Sequence, residues 1–431
     1  MSTAELTEAP AIELARLVRE GAVSAVELVE AHLRRIEAVG AQINAVVQVD
    51  AERALEAARR APSGPLGGVP FTVKDNIEAA GIPMAIGAPE RAGVVPSSDA
   101  TAVRRLREAG AILLGKTNCP PYGGGIESDN PVYGRTSNPY DLERTPGGSS
   151  GGEAAAVAAG CSACGVGTDS GASVRLPAHF CGVAALKPTA GRIPVTGVID
   201  DEGPIGALGD PRTQVGPVAR SVDDLALLLR LLAGPDGRDG GVPPVPLGDP
   251  AAVRLDGLRV AVFDAYDYAT ADADTARALA AGADALRERG AVVQQARPPA
   301  GGHDLTIEVW RSYGDQTGLY GLLRRWDAFR AEMLAWGERY ELLLSPVFAG
   351  PAPLHGALAG AEGVDPTSFT TPHSLTGWPA ATVRCGTSPD GLPIGLQLVA
   401  HPWREDVALA AAKALEAALG GWRPSAILPP E

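Results

Sequence analysis

What this chain lacks narrows its function before any motif is read. It has no apolar run fit for a bilayer: its most uniform stretch of uncharged small residues, Ala154 to Thr168, has 15 residues, whereas a spanning helix needs about 20. No membrane partner is expected. It is poor in positive charge, with 37 Lys+Arg against 51 Asp+Glu and a net charge of −14. Such a field repels phosphate backbones and anionic lipid surfaces, so no nucleic acid partner is expected either. Five cysteines are too sparse for a disulfide scaffold, and Glu5 and Glu8 arrive where a secretory leader would carry basic and then apolar residues. The expected address is cytoplasmic.

Of the 431 residues, 45% are apolar and 20% charged, the balance of a folded chain with a sizeable core. Ser24-Ala-Val-Glu27 is a capping box, and Val26, Val29, Leu33 and Ile36 follow on one helical face, with Gly40 as the expected stop. From Val69 the pattern alternates, with Val69, Phe71 and Val73 on one side and Thr72 and Lys74 on the other, which predicts a strand carrying a lysine near its end. A helix is expected over 101 to 109, a short buried strand over Ala111 to Leu114, and a capped helix over Ser221 to Ala233. A strand at Leu258 to Phe263, a helix at Thr275 to Arg289 and a strand at Ala291 to Gln294 continue the rhythm. Alternating helices and strands predict an α/β fold: a mixed, mainly parallel sheet with helices on both faces. No composition shift divides the chain, so a single domain over 1–431 is expected.

Four constellations compete for the chemistry. Gly110-Ala-Ile-Leu-Leu-Gly115-Lys116-Thr117 satisfies a phosphate-loop pattern, yet its middle is an apolar strand and Asn118-Cys119-Pro120-Pro121 follows where a helix must start. Cys161, Cys164, His179 and Cys181 are metal-ligand types, but the second pair is too tight and the first sits among small apolar residues, so no metal is expected. Gly147-Gly-Ser149-Ser-Gly151 fits a nucleophile elbow, but the polar, proline-broken Asp141 to Pro146 is no buried strand. The fourth constellation pairs two serine-bearing turns, Ser149-Ser150 and Ser170-Gly-Ala-Ser173, with Lys74. A lysine buried on its strand loses affinity for its proton and becomes a general base.

The segments VPFTVKDN (Val69 to Asn76), LGKTN (Leu114 to Asn118), TPGGSSGGE (Thr145 to Glu153), GTDSGASVRLPA (Gly167 to Ala178) and CGVAALKPT (Cys181 to Thr189) closely resemble the amidase signature family of hydrolases. The resemblance is strongest over 67–195, faint over a variable stretch at about 235–340, and returns at Gly391 to Gln397. It implies the fold of that family, with Ser173 as the acyl-forming nucleophile, Ser149 as a bridging serine in a cis peptide, and Lys74 as the base. It further implies an oxyanion hole on the backbone N–H groups of Ser170, Gly171, Ala172 and Ser173. Ala172 replaces the commoner glycine and puts the geometry of that hole in question.

Beside these, Ser150 is expected to hold Lys74 or a backbone turn, Asp169 to orient the nucleophile loop, and Arg175 to bind a substrate carboxylate or, the favoured reading, to pair with Asp169. Cys119 and Tyr122 are expected to line the substrate pocket, while Phe180 and Trp378 are expected to pack. The expected activity is hydrolysis of a carbon–nitrogen amide bond in a small molecule through an acyl-enzyme, without cofactor. Esters, carbamates and urethanes present the same carbonyl. Two alternatives stay open: a glutaminase-type subunit of a tRNA-dependent amidotransferase, and a catalytically weak amide-binding protein. A homodimer is a further open expectation.

Overall fold

The computed structural model describes residues 2–201, 203–206, 210–312, 318–359 and 362–428. Its centre is an eleven-stranded sheet. In chain order the strands are β1 (Val46–Val49), β2 (Pro70–Lys74), β3 (Ile112–Thr117), β4 (Cys164–Asp169), β5 (Ala184–Lys187) and β6 (Gln214–Ala219). They continue as β7 (Arg259–Val262), β8 (Val292–Gln295), β9 (Leu342–Pro346), β10 (Ala380–Thr387) and β11 (Pro393–Ala400). Across the sheet their order is β1-β3-β2-β4-β6-β5-β10-β11-β9-β7-β8.

The sheet is mixed, and helices cover both of its faces. Parallel pairing is confined to two blocks: β2 between β3 and β4, and β7 between β9 and β8. Helices bridge those steps, Thr101–Glu108 before β3, Gly151–Ala158 before β4 and Ala273–Glu288 between β7 and β8, because a parallel neighbour needs a crossover longer than a turn. The pairings from β4 through β6, β5, β10 and β11 to β9 are antiparallel, as is β1 on β3.

Most expected elements fall within a residue or two of their places. Ser24 and Glu27 cap each other's backbone N–H groups at the head of Ala25–Ile43. That helix runs past Gly40, however, and stops at Asn44, whose φ of 46° takes the left-handed turn. Asparagine tolerates that region better than most residues, and here its amide donates across to the carbonyl of Tyr133 on a distant loop. The strand expected over Ala111 to Leu114 extends to Thr117, because pairing with β2 and β1 carries it beyond its apolar run. Lys116 therefore lies inside a buried strand, its amine on the carbonyl of Ile77, and the phosphate-loop alternative has no loop to stand on.

Both faces of β2 are covered. Val69, Phe71 and Val73 join one core with Val103, Leu106, Leu225 and Leu228, while the other face meets the alanine-rich helix Gly151–Ala158 and the helix Ala25–Ile43. The alanine-rich helix lies so close that a Cβ on Gly152 would sit 2.4 Å from the backbone nitrogen of Asn118. Among the described residues no helix is long and apolar enough to cross a membrane.

Candidate active site

Lys74 ends β2 on the face turned toward the helix Gly151–Ala158, and it is fully buried. Its Nζ lies 2.7 Å from Ser149 Oγ and 2.8 Å from Thr168 Oγ1. Asn76 Nδ2 donates to the same threonine hydroxyl at 3.3 Å. Burial pushes the lysine down to about 8, against weaker opposing pulls from Cys119 and Asp169. Ser149 reaches the amine from the turn before the helix, and the peptide bond Gly148–Ser149 is cis.

The two serine turns are joined directly. The N–H of Ser150 donates to the carbonyl of Ser173 at 3.0 Å. The Ser150 hydroxyl sits between the backbone C=O and N–H of Thr168, at 3.2 and 3.3 Å, so of its two expected roles it serves the backbone turn. The lysine's second partner is Thr168.

Asp169 closes the nucleophile turn from beneath, where its carboxylate accepts the N–H groups of Val174 and Arg175 at 3.1 and 3.4 Å. The same carboxylate takes a two-pronged bond from Arg175, both distances 2.9 Å. Burial would raise this carboxyl, but the adjoining guanidinium holds it below its ordinary value. Arg175 also donates to the carbonyls of Gly171 and Thr370 and to Ser374 Oγ. The favoured Asp169–Arg175 pairing is thus present, fully buried.

Ser173 itself is only half-buried. Among the described residues, no acceptor is paired with the backbone N–H of Gly171, Ala172 or Ser173. The methyl of Ala172 packs in a small apolar cluster with Leu176, Phe180, Val347 and Phe348. Ser170 turns its hydroxyl to Thr213. The indole of Trp310, from the helix Gly302–Arg311, lies against Gly171, where a Cβ would meet the ring at 2.9 Å.

Cys119 and Tyr122, the two residues expected in the pocket, sit on the loop that leads to Gly123. Cys119 is fully buried with Met84, Ile86 and Ile199, and burial pushes its thiol up to about 12. Tyr122 bonds Glu90 through its hydroxyl. It is the next residue, Gly123, that stands over the site: a Cβ there would lie 3.6 Å from both Lys74 Nζ and Ser149 Oγ. Phe180 and Trp378 are both buried in apolar clusters. His179 bonds the backbone of Gly350 and Gly395. Among the described residues, no three His, Cys, Asp or Glu side chains gather as a metal site.

Thr168, Glu153 and Trp310 were not among the sequence candidates. Glu153 is fully buried, and its carboxylate accepts hydroxyls from Thr72 at 2.5 Å and Thr117 at 2.7 Å. It thereby ties β2 and β3 to the helix that follows Ser149. A lone carboxylate in an otherwise small and apolar helix was the available signal. Trp310 left none, since its partner Gly171 is far from it in the sequence.

The family model described as Amidase matches residues 27–313 and 313–409. A glutamyl-tRNA(Gln) amidotransferase subunit of Moorella thermoacetica is 33% identical, covering 96% of this chain and 97% of its own. Indoleacetamide hydrolase of Bradyrhizobium diazoefficiens is 35% identical over 94% of this chain and 86% of its own. Among solved structures, 6-aminohexanoate cyclic dimer hydrolase in complex with substrate is 31% identical. It covers 98% of this chain and 100% of its own, with a TM-score of 0.88.

Proposed function

This chain belongs to the amidase signature family and is an amide hydrolase, and from that premise we propose that it cleaves its substrate through an acyl-enzyme on Ser173, with Ser149 and Lys74 as the proton relay. The observation that carries this reading is the buried Lys74 amine 2.7 Å from Ser149 Oγ. A neutral amine has two N–H donors and one lone pair. It can donate to Thr168 and take the hydroxyl proton of Ser149, which in turn takes that of Ser173. The bond from Ser150 N–H to the Ser173 carbonyl supports the approach of the two turns.

Attack of Ser173 Oγ on the amide carbon moves the carbonyl electrons onto oxygen. The backbone N–H groups of Gly171, Ala172 and Ser173, with that of Ser170, are the donors that would meet that charge. Asp169 and Arg175 keep those groups convergent by holding both ends of the turn. The relayed proton passes to the leaving nitrogen, because an amide anion is a poor leaving group, and water then cleaves the ester along the same path. Esters and carbamates fall within this chemistry. The methyl of Ala172 supports an intact hole, since it packs into the apolar cluster and displaces no donor.

An intact-mass measurement after reaction with a sulfonyl fluoride or phosphonate probe tests the nucleophile. One adduct per chain, lost in Ser173→Ala, is expected; an adduct that survives Ser173→Ala sinks the assignment. A glutaminase role, favoured by the likeness to an amidotransferase component, would show as hydrolysis that rises with glutamine and with a co-purifying partner. A chain that forms no adduct with any probe and turns over no amide would be a binding protein.

A further inference from the structure

The helix Leu319–Gly337 carries two apolar stripes, and among the described residues only one of them is packed against the rest of the chain. Leu322, Trp326, Phe329, Met333 and Trp336 are buried against Tyr266, Phe369 and Leu375. Beside that face run Leu319, Leu323, Asp327, Arg330 and Leu334, all exposed. At about 100° per residue these five fall within roughly 80° of arc, one continuous strip of surface. The three leucines are 46, 44 and 48% exposed, and water gains nothing from their alignment. Among the described residues Asp327 and Arg330 form no ion pair, whereas Arg325 on the same helix pairs with Glu308.

The strip has an internal symmetry. Reflected about the midpoint between Ala328 and Phe329, Leu323 falls on Leu334 and Asp327 falls on Arg330. Two identical helices laid antiparallel across a two-fold axis at that point would therefore match leucine to leucine and aspartate to arginine, twice each. Self-complementarity of one patch is the requirement for an isologous contact. Next to the strip, a cavity of about 320 Å³ opens between Leu323, Trp326, Leu375 and Thr376, room for a side chain from a facing helix.

We propose that this face is where two copies of the chain associate, the helices Leu319–Gly337 packing antiparallel with Asp327 of each against the partner's Arg330. The proposal does not depend on the catalytic reading. Its test is the mass of the full chain at about 10 µM by sedimentation velocity and light scattering, with circular dichroism as the check on folding. The parent is expected to be a dimer whose dissociation constant rises at least about tenfold in Asp327→Arg and in Arg330→Asp. The double reversal Asp327→Arg with Arg330→Asp is expected to return within about threefold of the parent, because it restores both pairs. Leu323→Glu with Leu334→Glu is expected to be monomeric. A monomeric parent overturns the proposal. So does a dimer that both single charge reversals leave unchanged, or one in which the double reversal is no better than the singles. Should the leucine variant fail to fold, the exposed charge reversals decide the matter alone.

Discussion

With Lys74 pushed down to about 8, about one enzyme molecule in eleven holds it neutral at pH 7, half at pH 8 and about ten in eleven at pH 9. If the neutral amine is the base, acylation should rise about fivefold from pH 7 to 8, less than twofold from pH 8 to 9, and level off above. The sign follows from burial: desolvation penalises the charged ammonium, so the group loses its proton early and activity grows as pH climbs through that value. The assay is the single-turnover rate of amine release, or of probe labelling at Ser173, between pH 6 and 10. Lys116 is also pushed to about 8 by burial, and Glu153 up to about 7, so a midpoint near 8 does not by itself identify its owner. Lys74→Ala does. It should lower the rate at neutral pH by about 10² to 10⁴ and replace the sigmoid by a shallow recovery toward alkaline pH. A flat profile in the parent, or a midpoint near 8 that persists in Lys74→Ala, would refute the relay.

Four further outcomes are expected. Glu153→Ala leaves the hydroxyls of Thr72 and Thr117 unpaired beside a new cavity, and should lower the unfolding free energy by about 2–4 kcal/mol in urea melts, with Glu153→Gln much closer to the parent. Burial raises this carboxyl from 4.5 to about 7, so the folded state holds a proton that the unfolded state has released. Its contribution to stability should fade as pH rises from 4.5 toward 7, and Glu153→Gln should flatten that part of the curve. Arg175→Ala strands the fully buried Asp169 carboxylate, and a loss of about 3–5 kcal/mol in stability is expected, accompanied by loss of acylation; a variant of unchanged melting temperature and activity would show that the pair holds nothing. Finally, Gly165→Ala would set a Cβ 1.7 Å from Glu153 Oε1. It should displace that carboxylate and lower acylation without weakening substrate binding, visible as a fall in kcat at constant KM.

Local chemistry was legible wherever neighbours in sequence are neighbours in space. The Ser24–Glu27 cap, the alternation of Val69 to Lys74 and the Ser221-capped helix Val222–Leu232 all depend on residues within one turn or one strand. Expectations slipped where a distant strand decided the outcome. Pairing with β1 and β2 lengthened β3 to Thr117 and turned Lys116 inward. Thr168 escaped notice because its role exists only when β4 lies beside β2, which brings its hydroxyl within 2.8 Å of Lys74. Cys119 and Tyr122 sit on a loop that does reach the site, where its backbone turn brings Gly123 over Lys74 and Ser149, while Cys119 is buried and Tyr122 bonds Glu90.

The amino-acid order by itself determined the element types, the serine turns and the lysine, since these rest on spacing, capping and glycine content that any neighbour-to-neighbour rule can read. Only the folded arrangement decided what those groups are worth. It sets an amine under two helices where water cannot solvate its charge, threads a carboxylate between two threonines, and leaves one leucine strip bare. Burial and approach across a sheet depend on residues a hundred or more positions apart, and that distance is bridged by packing alone.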